Sequence, residues 1–168
     1  MNIFYTAKKS LGQNFLVDPN ILNKIIRIGN IEKNKTVLEI GPGYGNLTRK
    51  IADMKPRKIF AIEKDVRLVL FLKNIFKNFK NTKIINNDIF NFLESKNLGQ
   101  NIIVFGNLPY NISTQILASL ILLKKWPPWY EILILMFQKE VADRILGKTQ
   151  TKEFGRLSIL CNWRLEIK

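Results

Sequence analysis

Thr36-Val37-Leu38-Glu39-Ile40 runs directly into Gly41-Pro42-Gly43-Tyr44-Gly45. A short apolar run ending in three alternate glycines reads as a buried strand feeding a tight turn. Glycine enters positive φ at no steric cost and lets the backbone approach a ligand closely. A helical pattern over about 46–54 follows, and the strand–turn–helix unit then repeats. Residues 58–63 read as a second strand. Asp65 reads as the cap of a helix reaching about 78, with Leu68, Phe71, Leu72, Ile75, Phe76 and Phe79 at helical spacing. Residues 83–88 form a third expected strand, with a helix starting near Ile89, and residues 101–106 a fourth. An apolar helix is expected over 112–125, broken by Trp126-Pro127-Pro128-Trp129. A fifth strand over 131–138, a helix over 139–146, a polar loop over 147–154 and a helix over 155–164 complete the pattern. Residues 165–168 read as the start of a sixth strand.

Apolar strands alternating with helices predict an α/β fold, a mostly parallel sheet covered by helices on both faces. Ligands in such sheets bind beyond the C-terminal ends of the strands. Gly41, Glu63, Asp88 and Asn107 all fall at or just past those ends. Four separate strand ends therefore direct unusual residues to one edge.

The glycine turn narrows the ligand. A dinucleotide fingerprint would place its third glycine one residue later, where this chain has Asn46. The spacing leans away from NAD and toward S-adenosylmethionine, whose nucleoside lies over a similar turn without a pyrophosphate. Gly41 and Gly43 are the candidate contacts. Glu63 stands about twenty residues further on, where a carboxylate accepts both ribose hydroxyls. Asp88 is placed to accept an adenine N6 amine, to cap the helix after it, or both. Glu39, near the end of the first strand, orders the glycine loop or approaches a methionine ammonium.

Asn107-Leu108-Pro109-Tyr110 follows the fourth strand. The turn suits an exocyclic amine on a flat ring. Amide and backbone oxygens accept its N–H bonds, Tyr110 stacks on the ring, and Pro109 stiffens the turn while removing a competing donor. Adenine N6 is such an amine. Methyl transfer to it is an in-line displacement helped mainly by positioning and electrostatics, so the lack of histidine does not count against an enzyme.

Charge supports a polyanionic partner. Lys and Arg total 27 against 13 Asp and Glu, a net +14, the footprint of a nucleic-acid binder. Lys8, Lys9, Arg144, Lys148, Lys152 and Arg156 are the candidate phosphate contacts, of the kind that position RNA without reading sequence. Cys161 is the single cysteine, which excludes an internal disulfide, and with no histidine the usual zinc ligand sets are absent. The longest apolar runs, 116–123 and 132–137, are too short to span a bilayer, and no secretory signal is visible. A soluble, cytoplasmic protein without metal is expected.

Four motifs occur in order: Leu11-Gly12-Gln13-Asn14-Phe15-Leu16, Leu38 to Gly45, Asn107 to Thr114, and Gln138-Lys139-Glu140-Val141-Ala142. Together they resemble the ribosomal RNA adenine dimethyltransferases, the dimethyladenosine transferase or KsgA-type family. The resemblance implies a Rossmann-like S-adenosylmethionine-dependent methyltransferase fold. It implies that Asn14 and Leu16 close over the cofactor, Gly41 contacts it, Glu63 binds its ribose and Asp88 its adenine amine. Asn107 would line both cofactor and target. The implied activity is N6,N6-dimethylation of two adjacent adenosines near the 3′ end of 16S rRNA during ribosome biogenesis, by a protein that is monomeric at full length.

Members of that family run longer. The chain therefore reads as residues 1–168 of a catalytic domain lacking its last strands and a helical RNA-binding domain, which would leave a sheet edge or apolar face uncovered. Gly12 and the run from Gln138 to Val141 favour the ribosome-maturation branch over the related macrolide-resistance 23S rRNA methylases. A nucleotide-dependent oxidoreductase, a DNA adenine methyltransferase and a non-catalytic RNA-binding assembly factor are the rival classes.

Overall fold

In the computed structural model, residues 15–95 and 99–168 are described. Among them the elements run α1 (Pro19–Gly29), β1 (Thr36–Ile40), α2 (Asn46–Asp53), β2 (Lys58–Glu63), α3 (Val66–Ile75) and β3 (Thr82–Asn86). They continue with α4 (Ile89–Ser95), β4 (Ile102–Asn107), α5 (Ser113–Ile121), β5 (Tyr130–Met136), α6 (Lys139–Leu146) and α7 (Arg156–Arg164).

The strands pair in parallel in the order β3-β2-β1-β4-β5, as the alternating pattern predicts. Winding reverses between β1 and β4, which opens a crevice beyond the strands' C-terminal ends. Register sets what meets there. Ile40 lies opposite Ile62 on one side and Gly106 on the other, so Gly41, Glu63 and Asn107 arrive together at the same edge.

Strand alternation divides the core into two layers. Leu38 and Ile40 pack with Phe92, Leu108 and Ile116 beneath α4 and α5. Val37 packs with Ile59, Ile103 and Phe105 beneath α1 and α2. All five residues of β1 are buried, which is why the strand reads as a continuous apolar run interrupted only by Glu39.

Helix α1 is an addition to the sequence pattern. Asp18 caps it, its Oδ1 accepting the Asn20 N–H at 2.7 Å, and Pro19 occupies the first turn. Its last residue, Gly29, lies so close to Phe105 that a Cβ there would meet the ring at 2.4 Å. The helix thereby seats directly on the sheet.

Several boundaries differ from expectation, β3 and β5 each ending two residues early, at Asn86 and Met136. Helix α5 stops at Ile121, short of 125. Arg164 from α7 donates Nη1 hydrogen bonds to the Ile121 and Leu123 carbonyls, taking acceptors that further helix would need, and Pro127-Pro128 bars continuation. Helix α3 ends at Ile75, short of 78, and the Phe79 N–H then closes a turn on the Phe76 carbonyl at 2.9 Å. The expected sixth strand over 165–168 does not form among the described residues. Leu165 is extended (φ −118°, ψ 143°), but residues 165–168 form no ladder with β5, which pairs only with β4 among the described residues. Strand β5 is accordingly an outer strand, its Ile132 more than one-third exposed.

Candidate active site at the strand ends

The loop between β1 and α2 takes three positive φ values, at Gly41 (68°), Gly43 (58°) and Gly45 (80°). Space differs among them. A Cβ on Gly45 would meet Phe76 and Leu72 at 2.7 and 2.8 Å, whereas one on Gly41 would meet only the Asn107 carbonyl at 3.8 Å. Gly45 is thus a packing glycine, and Gly41 leaves open space at the floor of the crevice. The Gly41 N–H donates to the Ile62 carbonyl at 2.9 Å, tying the loop to β2.

A cleft of about 180 Å³ opens there, its walls including Gly41, Gly43, Glu63, Asp88, Asn107 and Pro109. Five of the residues singled out from sequence therefore share one cavity with Pro109 of the target-binding turn. Leu16 adjoins it. Its carbonyl accepts an Asn46 Nδ2 hydrogen bond at 2.9 Å, so the segment before α1 is fastened to the glycine loop. Phe15 packs on Tyr44 with ring centroids 4.5 Å apart, and Tyr44 meets Phe71 edge-on at 5.7 Å. Asn14, Lys8 and Lys9 lie outside the described residues.

Glu63 is 93% buried by its relative exposure of 7%. Its Oε1 accepts the Asp65 N–H at 2.8 Å and its Oε2 the Gly43 N–H at 3.3 Å. Burial raises its pKa, and those backbone donors offset part of the effect. Asp88 is more open. Its Oδ1 accepts the Phe90 N–H at 3.0 Å, capping α4, and its Oδ2 pairs with the Lys64 ammonium at 2.7 Å. The lysine holds the Asp88 carboxyl below its usual range. One Asp88 oxygen therefore caps the helix, while the other is held by Lys64, which lines the cleft with it.

Glu39 is the outlier. It is 1% exposed, and its Oε2 has no hydrogen-bond partner. Burial pushes its carboxyl up to about 8; the adjacent Thr48 hydroxyl lowers it in part, and the Glu63 carboxylate raises it further.

Asn107 ends β4 half-buried, while the Leu108 side chain enters the core. The Pro109 carbonyl accepts the Ile112 N–H at 3.1 Å, and the Ser113 hydroxyl donates to the Tyr110 carbonyl at 3.3 Å. This closed turn delivers Tyr110 to the surface, 41% exposed, beside the cleft rather than in its wall. Arg144, Lys148, Lys152 and Arg156 are exposed at the corner where α6 meets α7, joined by a Ser158 hydroxyl bond to the Arg144 carbonyl at 2.6 Å. None of the four lines the cleft.

Sequence reasoning missed Lys64, Asn87, Phe15 and Asn111, which also line the cleft. Lys64 and Asn87 follow the ends of β2 and β3 directly, so the strand-end rule extended by one residue would have found them.

Chemically, the cleft offers a paired-acceptor carboxylate, a second carboxylate further along, open backbone over Gly41, and an amide at the far wall. Those groups match a nucleoside with vicinal hydroxyls and a ring amine, joined to a cationic tail. Among the described residues no group of three His, Cys, Asp or Glu side chains is placed to hold a metal ion, and no helix is long and apolar enough to cross a membrane.

The strand order and the cleft at its switch point define a Rossmann-like methyltransferase fold. Comparison with known proteins narrows the class. The ribosomal RNA adenine dimethylase family matches residues 4–168, and the chain belongs to that family. It is 52% identical over 166 residues to the ribosomal RNA small subunit methyltransferase A of Pelagibacter ubique, covering 99% of this chain and 62% of that protein. It is 41% identical over 165 residues to the protein of the same description from Bradyrhizobium diazoefficiens, covering 97% and 58%.

Among solved structures, a dimethyladenosine transferase from Plasmodium falciparum superposes with TM-score 0.75 at 30% identity, covering 89% of this chain and 52% of that one. The 23S rRNA methyltransferase ErmE superposes with TM-score 0.70 at 29% identity, covering 88% and 55%. The chain thus spans about 60% of the length of the curated relatives it matches.

Proposed function

We propose that the chain is the cofactor-binding catalytic part of an S-adenosylmethionine-dependent methyltransferase that dimethylates N6 of two adjacent adenosines near the 3′ end of small-subunit rRNA. One observation supports this most: Gly41, Glu63, Asp88 and Asn107 meet in a single cleft, with the Asn-Leu-Pro-Tyr turn at its mouth. The small-subunit descriptions of the relatives favour this substrate over 23S rRNA.

The cofactor supplies an electrophilic methyl group on a sulfonium. The chain's own residues bind and aim. Glu63 accepts the ribose hydroxyls through lone pairs left by its two backbone donors. Asp88 accepts the cofactor's adenine amine, for which Lys64 must share or vacate Oδ2. Gly41 lets the nucleoside lie against the backbone, and Gly43 keeps Glu63 oriented. Asn14 and Leu16 cover the site from the N-terminal side.

Toward the target, the Asn107 side-chain oxygen accepts one N6 hydrogen. The Pro109 carbonyl already serves the Ile112 N–H, so the Leu108 carbonyl takes the other. Two acceptors on one amine favour a pyramidal nitrogen whose lone pair faces the methyl group. Tyr110, free at the surface, stacks on a base drawn out of its helix, as base-modifying enzymes require. After transfer the nitrogen is cationic and loses its proton without a strong base. Lys8, Lys9, Arg144, Lys148, Lys152 and Arg156 meet RNA phosphates, the partner being the pre-30S particle and the setting the cytoplasm.

The test is incubation with labelled S-adenosylmethionine and under-methylated small ribosomal subunits, for the chain and for a form extended at its C-terminus. Label recovered as N6,N6-dimethyladenosine from the small-subunit rRNA is expected. Label confined to 23S rRNA or DNA would overturn the substrate.

A further inference from the structure

We propose that Glu39 carries a proton in the ligand-free protein and releases it to solvent when a ligand ammonium seats beside it, so that binding is coupled to loss of one proton. The proposal rests on the S-adenosyl reading above and deepens it.

Its basis is geometric. Glu39 lies between Ala61 and Phe105 in the sheet register, on the face that α1 and α2 cover. Glu39 lines a small cavity of about 30 Å³ bounded also by Gly43, Tyr44, Asn46 and Asn107. A water needs roughly 10–15 Å³ by this kind of measure, and an ammonium is of similar size, so the space takes one such group. The Glu39 Oε2 is buried with no partner. An ionised carboxylate with an unmet oxygen away from water is strongly disfavoured; protonation or an arriving cation relieves it.

The surroundings supply no resident cation among the described residues. From β2 comes the like-charged Glu63; from α2 comes the neutral Thr48 hydroxyl. Strand β4 contributes Phe105 beside it and the Asn107 amide at the cavity wall. The loop contributes Tyr44. Lys64 is engaged with Asp88, and Arg49 on α2 lies over the Phe76 ring, 5.8 Å from its centroid. Burial holds the carboxyl up at about 8, which agrees with a protonated group at neutral pH. A ligand whose amino-acid tail carries an ammonium supplies the missing charge, and the proton leaves.

The probe is S-adenosylhomocysteine, whose amine stays charged at pH 7 and whose thioether carries no charge. Calorimetric titration in buffers of different ionisation enthalpy should report about one proton released per ligand bound at pH 7. Affinity should tighten by close to tenfold for each unit by which pH rises toward 8, and level off above it. Glu39→Gln should bind with no proton release and a flat pH profile. Infrared spectra of the unmodified chain offer a second readout: a protonated-carboxyl band at pH 7 that disappears on saturation. Binding without proton release would overturn this proposal while leaving the cofactor reading intact. Release that persists in Glu39→Gln would move the proton to another group, and absence of binding would overturn both readings.

Discussion

The Gly43 amide donates to the Glu63 carboxylate at 3.3 Å, across a sequence separation of twenty residues. Loop and strand end are thus one unit, and Glu63 both shapes the cleft and faces it. Glu63→Ala leaves the Gly43 and Asp65 amides without their acceptor and should destabilise the chain by ~1–3 kcal/mol. Glu63→Gln keeps one acceptor oxygen and should melt closer to the parent. Both should weaken S-adenosylmethionine binding at least tenfold by calorimetry; unchanged affinity in Glu63→Gln would remove the ribose role.

The glycines separate packing from binding. Gly45→Ala combines φ +80° with contacts at 2.7 and 2.8 Å to Phe76 and Leu72, so overpacking and strain together should cost ~1–3 kcal/mol. Gly41→Ala has φ +68° but open space around it, and should cost ~1–2 kcal/mol from backbone strain alone. Its methyl group stands on the cleft floor, so cofactor affinity should fall more in Gly41→Ala than its melting temperature suggests. Equal affinities for the two variants would contradict the assignment of Gly41 to the ligand.

Asp88→Asn tests the division of labour between its oxygens. Oδ1 caps α4 through the Phe90 N–H, a task asparagine performs equally well. The lost Lys64 pair is surface-exposed on the lysine side, so stability should change by less than ~1 kcal/mol at pH 7. With the amide oxygen on the cap, an NH2 group faces the ligand amine, donor against donor, and cofactor affinity should drop. A variant that melts normally and binds normally would exclude Asp88 from the cofactor site.

Glu39 makes stability depend on pH in an uncommon direction. Its folded value is about 8 against an ordinary 4.5. The folded chain therefore keeps a proton that the unfolded chain gives up above 4.5. Its contribution is full below 4.5 and is lost as pH rises toward 8, by ~1.4 kcal/mol per pH unit. Urea melts of the parent and Glu39→Gln from pH 5 to 8 should diverge with rising pH, with glutamine relatively more stable at the alkaline end. Parallel profiles would show that Glu39 ionises freely in the fold.

Much of this site was legible in advance because parallel strands deliver their last residues to one edge. The run of β1 into three glycines, and the acidic residues ending β2 and following β3, needed only the strand-end rule. Helix α1 was equally legible from Asp18-Pro19, a cap followed by a first-turn proline, although the strand–turn–helix pattern places no element over 19–29. The Lys64–Asp88 pair and the buried, unpartnered Glu39 oxygen were not legible. Both depend on side-chain direction across elements, which periodicity does not encode. The early end of α5 is of the same kind, since the Arg164 that takes its carbonyls comes from more than forty residues away. Residues 165–168 have the composition of a strand, yet composition does not make a ladder: Leu165 is extended but pairs with no strand among the described residues.

The most direct test of the account is single-turnover methyl transfer to under-methylated small ribosomal subunits, comparing the parent with Asn107→Ala. The expected result is a rate lowered on the order of a hundredfold or more, as for loss of one preorganised acceptor in an active site, with melting temperature nearly unchanged and cofactor affinity reduced far less than the rate. A rate near the parent's in a folded, cofactor-binding Asn107→Ala chain would contradict it.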